Sequence, residues 1–581
     1  MDQNLEHKRH TLAHLLAAAV MGAYPHAKPT LGPAIDDGFY YDIDFTGGEK
    51  PNDEALNKIE KQMRKLLPSW KDFTHEVVSA DAAKAAFPDN QFKHELIDEI
   101  SGRGEQITLY TCGAFTDLCR GGHAEHPNKD IPDDSFKLDR IAGAYWRGDE
   151  KNPMLTRIYG LAFDTKAELD AHIANQVEAE RRDHRKLGKE LELFTFDEDI
   201  GKGLPLWLPK GNIIKEELEN WAKETEAAQG YQRVTTPVIT KENLFFTSGH
   251  LPLYKESMYA PIEIENENYY IKPMNCPFHH KIFSALPRSY RELPLRLTEY
   301  GLCHRYEDSG SLFGLMRVRA MLMNDAHIYV SPEDAIDEFV AVIKLHEYYY
   351  KILGIEKYEM ELALRDPKKL DKYHGEESDW KLAEEMTIKA MEQSGVPFKI
   401  VHEGAAFYGP KMDFQIYSTT GRMFTASTNQ LDLYMGKRFN LEYTDKDGSR
   451  KIPYIIHRAP LGTHERFIGF LIEHYAGAFP LWLSPVQVKV LPVSEKHVEY
   501  AQSVLKALKG AGLRAELDDA NESLGKKIRN AKTQKVPYLF VLGDKEVEAN
   551  TVTVENRTAS EGAIPLDTIV ERLKTEYRDR A

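Results

Sequence analysis

Several groups of side chains in this chain have the types and spacing to do chemistry. His10 and His14 stand four residues apart in HTLAHLLAAAV, so both imidazoles fall on one helix face and can share a metal ion, a water molecule or a substrate. With 22 histidines in 581 residues, chance placement supplies about one such pair per chain, so the pair gains weight only from a companion. DLCRGGH provides one, because Cys119 and His123, again four apart, follow directly on Asp117. A His/His/Cys/His set suits either a tetrahedral zinc site or a metal-free hydrolytic pocket in which His and Cys handle water, and spacing does not choose between them.

RYEDSGSLFGLMRVR places Arg305 two residues before Glu307, with Arg317 and Arg319 beyond a Gly/Ser-rich turn. In a strand, i and i+2 share a face, so a guanidinium and a carboxylate can address one ligand together. Arginine's planar fork suits phosphate, and a carboxylate accepts from an exocyclic amine. In LGTHERFIGFLIEH, Gly462 precedes Glu465 and Arg466 at the start of an amphipathic helix, whose N-terminus can hold a phosphate or a base. Cys276, His327 and His457 are 51 and 130 residues apart, a spacing from which no metal site can be derived.

More than one core must position these residues. At 581 residues the chain far exceeds the roughly 250–300 at which a single core stops growing, and three or four domains are expected. Hydrophobic residues at 42% and charged residues at 29% exclude collagenous, low-complexity and disordered classes. No run approaches about 18 apolar residues, and MDQNLEHKRH lacks the apolar core of a signal peptide, so a cytoplasmic protein without a membrane span is expected. Four cysteines, Cys112, Cys119, Cys276 and Cys303, are too few for a disulfide framework. The net charge of −16 leaves nucleic-acid binding open, since that needs only a local basic face.

Pattern divides the chain into blocks. Residues 1–165 open on a helix and continue in strand-like runs such as ITLYTCGAF, reading as an α+β domain. The charged run with its basic centre RRDHRK reads as a linker helix over 166–189 leading into the next block, or alternatively as a solvated helix face with no partner. Residues 190–482 contain strand segments separated by Gly and Pro, predicting a large, mainly antiparallel sheet. From 486 to 581 strands alternate with helices, predicting a small α/β domain with a parallel sheet.

In this order, GYQRVTTPVIT with Pro237, RYEDSGSLFGLMRVR and LGTHERFIGF resemble motifs one, two and three of the class II aminoacyl-tRNA synthetases. MNCPFHH, NDAHIYV, AAFYGPKMDF, NQLDL and IIHRAPLG extend the likeness to the threonyl-tRNA synthetases over nearly the whole chain. HTLAHLL with DLCRGGHAEHP resembles that family's editing domain, and 486–581 its anticodon-binding domain. The resemblance implies an α+β multidomain protein with an editing domain (1–165), a linker helix (166–189), a class II antiparallel-sheet catalytic domain (190–482) and an anticodon-binding α/β domain (486–581). The form implied lacks the N-terminal ubiquitin-like domain that many relatives carry. The implied activity is ATP-dependent attachment of L-threonine to tRNA(Thr) through a threonyl-adenylate, with hydrolysis of seryl-tRNA(Thr). A homodimer built on motif one, one Zn2+ per subunit and Mg2+ with ATP are implied as well.

By the same resemblance Arg305 grips the ATP α-phosphate, Glu307 the adenine amino group and Arg317 the γ-phosphate, while Arg466 stacks on adenine. Cys276, His327 and His457 match the zinc ligands, and Asp325, Tyr408, Lys411 and Gln430 the substrate positions. His10, His14, Cys119 and His123 line the editing pocket, with Asp117, Lys93 and Tyr41 at matching positions. Lys526, Lys527, Arg529 and Lys535 would form a basic face for tRNA, and Glu546 would accept from an anticodon base. The chain departs from the family at Met321 (an aromatic is usual), Met323 (glutamine), Phe278 (glycine) and Asn429 (an aliphatic residue). Two other readings stand beside this one. A prolyl- or seryl-type synthetase would need neither the Cys276/His327/His457 set nor the HxxxH and CxxxH pairs. A synthetase-like regulatory protein is kept open by Met321 and Met323, and retention of Arg305, Glu307 and Arg466 argues against it.

Overall fold

The computed structural model describes residues 3–402, 404–418, 421 and 423–580, and the chain separates into two compact units, Met1–Val177 and Glu178–Ala581. Among the described residues no helix is long and apolar enough to cross a membrane.

In the first unit, α1 (Gln3–Ala23) aligns Leu12, Leu15, Leu16, Ala19 and Val20 on one stripe, each at most 1% exposed. Recurrence at three and four residues is the pattern of a helix burying one face. Strands β1 (Lys28–Leu31) and β2 (Gly38–Asp44) start an antiparallel sheet, and α2 (Asp53–Leu66) packs beside α1. β3 (Thr74–Val78), β4 (Ile107–Cys112) and β5 (Phe115–Leu118) form a separate antiparallel meander, with α3 (Gln91–Gly102) against it. β6 (Phe136–Tyr145) and β7 (Met154–Ala162) then complete the first sheet in the order β1-β2-β7-β6.

The expected single helix over 166–189 is two, α4 (Lys166–Arg182) and α5 (His184–Glu190). Asp183 breaks the run and caps α5 by accepting from the Arg185 N–H at 2.7 Å, which an Asp side chain does well at an N-terminus.

In the second unit α6 (Pro209–Ala228) precedes an eight-stranded sheet. Its strands are β8 (Gln232–Arg233), β9 (Leu295–His304), β10 (Ala320–Val330), β11 (Tyr358–Ala363), β12 (Phe398–Val401), β13 (Lys411–Tyr417), β14 (Met423–Asp432) and β15 (Tyr454–Ala459), in the order β8-β9-β10-β15-β14-β13-β11-β12. The six inner strands are antiparallel, as the pattern predicts, and only β8 and β12 at the edges pair parallel. α7 (Cys276–Ser284), α8 (Ala335–Ile352) and α9 (His464–His474) complete this part. α8 covers one sheet face with Phe339, Val342, Ile343, Leu345, Tyr349 and Tyr350, each worth about 1.5–3 kcal/mol of burial.

The chain ends in a smaller sheet made of β16 (Val488–Pro492), β17 (Ala515–Leu517), β18 (Tyr538–Leu542), β19 (Thr551–Asn556) and β20 (Ser560–Pro565), with α10 (Val498–Gly510) and α11 (Leu524–Thr533) among its helices. β17, β16 and β18 are parallel, whereas β18, β19 and β20 are antiparallel, so the sheet is mixed and not the parallel one expected. Part of the reason is local: Asn556 accepts from the N–H groups of Thr558 and Ala559 at 2.8 Å, an Asx turn that folds β20 back on β19 as a hairpin.

Candidate active site and hydrolytic pocket

Register across the large sheet assembles the first site. Leu297 pairs with His327, His327 with His457, His457 with Gln430 and Gln430 with Lys411. Residues opposite one another share a face, as do i and i+2, so Asp325 joins His327. The cavity above holds about 300 Å³ and is lined by Cys276, Arg305, Glu307, Arg317, Asp325, Tyr408, Lys411, Gln430, His457 and Arg466.

At its floor Cys276 and His457 line the cavity, and with the fully buried His327 they bring one ligand atom each within 4.8 Å of one another. His457 has Nε2 2.9 Å from Asp432, and His327 has Nδ1 2.8 Å from His279. The remaining nitrogens, His327 Nε2 and His457 Nδ1, are buried and have no partner, an arrangement that costs free energy unless a ligand completes it. Histidines oriented through one nitrogen and free at the other, beside a thiol, fit a tetrahedral metal ion with an open position. Sequence reasoning missed His279 and Asp432. Asp432 was legible as the residue two beyond Gln430 in NQLDL, hence on the same face. Asp325 accepts from Asn275 at 3.0 Å; burial pushes its carboxyl up against the opposing pull of His279. Tyr408 donates to Gln430 Oε1, and Lys411 pairs with Asp413 at 2.8 Å.

Arg305 and Glu307 were expected on a strand. β9 ends at His304, and both lie in the following loop, brought together by its return. Arg317 pairs with Glu307 at 2.9 Å, and Arg319 donates to the Glu307 carbonyl at 2.9 Å. Arg466 opens α9 and donates to the Met316 carbonyl at 3.2 Å. Gly462, at φ +55°, lets the chain pass so close that a Cβ would fall 2.4 Å from the Ala426 carbonyl oxygen. Met321 is buried with Cys303 and Val318, against which Met323 packs, and both methionines border the cavity.

The first unit holds a second cavity of about 350 Å³, lined by His10, His14, Tyr41, Lys93, Asp117 and Cys119. α1 presents the two histidines, α3 carries Lys93 and β5 carries Asp117. Asp117 is the hub: Lys93 forms a buried ion pair with it, Tyr41 donates to it, and His14 Nδ1 lies 3.1 Å away. Cys119 Sγ lies 3.5 Å from both His10 and His123, and His10 Nε2 is 3.2 Å from His14 Nε2. Burial alone would raise the thiol, but hydrogen bonds from His10, His123 and His14 outweigh it and bring Cys119 down to about 3. Burial would lower His14, but its bonds to Asp117 and Cys119 hold it up at about 9. All four metal-type side chains offer atoms within 4.8 Å of one another. The set can therefore hold a cation or activate water, and both choices that the spacing leaves open survive.

Beside the terminal sheet, Arg529 on α11 is exposed and Lys535, just after that helix, is half-buried. Lys527 is not part of a solvated basic face: it is 4% exposed and donates to the carbonyls of Asp518 at 2.9 Å and Pro492 at 3.3 Å. Glu546 accepts from the Gly543 N–H and from Thr553, both at 2.8 Å. Its carboxylate braces this turn, which the sequence did not disclose.

Comparison with known proteins agrees with this geometry. A model described as the tRNA synthetase class II core domain (G, H, P, S and T) matches residues 259–475, an anticodon binding domain 487–576, and the threonyl and alanyl tRNA synthetase second additional domain 107–159. Sheet, cavity and matches together define a class II tRNA synthetase. Threonine–tRNA ligase of Deinococcus radiodurans is 46% identical over 98% of this chain and 88% of its own length, and that of Geobacillus kaustophilus 46% identical over 100% and 89%. The chain belongs to the threonine–tRNA ligase family. The solved RNA binding domain of threonyl-tRNA synthetase from Cryptosporidium parvum superposes with a TM-score of 0.65 at 36% identity, covering 68% of this chain and 98% of that one.

Proposed function

We propose that this chain joins L-threonine to tRNA(Thr) through a threonyl-adenylate and hydrolyses seryl-tRNA(Thr) in its first unit. The observation that carries the reading is the cross-strand row His327, His457, Gln430 and Lys411 beside Cys276, Asp325 and a cluster of arginines. Arg305 and Arg317 take phosphate oxygens of ATP, Glu307 accepts from the adenine amine and Arg466 stacks on the base, with Mg2+ accompanying the nucleotide. The threonine carboxylate attacks the α-phosphorus and pyrophosphate leaves; cationic side chains already in place stabilise the charge that develops.

Cys276, His327 and His457 would hold one zinc ion per subunit, which supplies a Lewis-acid site for the amine and hydroxyl of threonine. Asp325 gives the amine an acceptor, and Tyr408 and Gln430 border the side chain. Valine brings a methyl where the hydroxyl belongs and leaves buried polar groups unsatisfied, a heavy penalty. Serine loses only a methyl, worth about 1–3 kcal/mol, too little for accurate coding. That gap is the reason for a second site, in which Cys119 and the histidines handle water while Asp117 holds His14, Lys93 and Tyr41 in place. Arg529 and Lys535 face tRNA phosphate and Glu546 an anticodon base. Ile239, Ile262 and Ile264, each 40–43% exposed and on one face of a small three-stranded sheet, support a homodimer through this apolar surface.

Amino-acid-dependent ATP–pyrophosphate exchange tests the reading. Strong exchange with threonine, weak with serine and none with valine is expected; no exchange with any amino acid overturns it and favours a regulatory protein.

A further inference from the structure

We propose that His184 is a positioning residue for ATP, latching the tip of the loop between β9 and β10 to the far end of α9; the inference rests on reading the cavity as an ATP site. The sequence around it, RRDHRK, suggests a solvated helix, yet the His184 ring is fully buried. Its Nε2 accepts the backbone N–H of Leu315 at 3.1 Å. A backbone amide can only donate, so the ring proton resides on Nδ1, 2.7 Å from Glu473 Oε1 near the end of α9. Both nitrogens are thereby committed. The Asp183, His184 and Glu473 atoms lie within 4.8 Å of one another, but no imidazole lone pair is left for a cation.

The ring thus bridges the two elements that carry Arg305, Arg317 and Arg466. One residue beyond Leu315, the Met316 carbonyl accepts from Arg466, and one further, Arg317 pairs with Glu307. The height of the loop against α9 sets where these guanidinium groups point. The fit is close: Gly314 has φ +48°, and a Cβ there would fall 2.2 Å from His184 Nε2. Arg182 donates to the His474 carbonyl at 2.9 Å, anchoring the same helix end.

Threonine-dependent exchange on the full chain tests this. Wild-type exchange fixes KM for ATP, and its absence would overturn the ATP reading and the latch with it. His184→Phe keeps the ring's bulk and removes both bonds; it should raise KM for ATP on the order of tenfold or more, with KM for threonine within about twofold. His184→Gln, whose side-chain oxygen can still accept from Leu315, should recover most of the loss. Gly314→Ala reaches the latch from the loop side and should also raise KM for ATP. A KM for ATP within about twofold of wild type in His184→Phe or Gly314→Ala overturns the latch while the ATP reading stands. An equal rise in both KM values overturns it too, since that marks general loss of structure.

Discussion

Glu465 Oε2 accepts the backbone N–H of Leu322 at 2.9 Å, tying the first turn of α9 to β10. Burial pushes this carboxyl up from its ordinary 4.5 to about 7, against the opposing hydrogen bonds from backbone N–H groups. A folded-state pKa above the unfolded one means that the native chain binds more protons between those values. Glu465 therefore contributes stability that is complete below about pH 4.5 and lost as pH rises through about 7, up to roughly 3 kcal/mol. Glu465→Gln keeps an oxygen for Leu322 and removes the titration. The difference between its melting temperature and that of wild type should change from pH 5 to pH 8 in favour of the variant; a constant difference refutes the assignment.

Asn429 sits opposite Arg458 across β14 and β15, is fully buried, and neither its Oδ1 nor its Nδ2 has a partner. Burying an unpaired polar group costs about 1–3 kcal/mol. Asn429→Leu should therefore raise the midpoint of thermal unfolding, and a lowered midpoint would show that Asn429 is satisfied in solution.

Cys276→Ser should abolish bound zinc, read by metal analysis of the purified chain, and threonine-dependent exchange together. Asp432→Ala leaves all three ligands but frees His457 Nε2, so zinc affinity should fall by about 10–100-fold. Full activity in a zinc-free Cys276→Ser protein would end the metal reading.

Asp117 neutralises Lys93 and His14 in a site where both carboxylate and ammonium are at most 2% exposed. Asp117→Ala should cost about 3–5 kcal/mol and eliminate seryl-tRNA(Thr) hydrolysis. His10→Ala breaks no buried ion pair; it should keep the melting temperature and lose about a hundredfold or more in hydrolysis. Threonine-dependent exchange should be unchanged in both. Wild-type hydrolysis in His10→Ala would remove this pocket from the editing reaction.

Much of the membership of the large-sheet site was legible because the motifs are local: RYEDSGSLFGLMRVR and LGTHERF carry their residues within a few positions of each other. His10 and His14 were legible for the same reason, since a helix brings i and i+4 together whatever surrounds it. His279 was not, because its task is to hold His327 from a different element, whereas Asp432, two beyond Gln430, was open to the same period-two reading and was passed over. Lys527 was misread because a local window cannot tell a solvated lysine from one whose ammonium caps buried carbonyls.

By itself the sequence determined which residues share a face of each element, where the segments change character, and the order of chemical groups along the chain, all consequences of backbone periodicity. Tertiary structure alone decided that residues 327, 430 and 457 meet, because strand register couples positions that no local spacing relates, and that Cys276 of α7 joins His327 and His457. It also decided which histidine nitrogens are free and that His184 faces inward. Those outcomes depend on which partner each polar atom finds once water is excluded, and that is settled only when the elements pack.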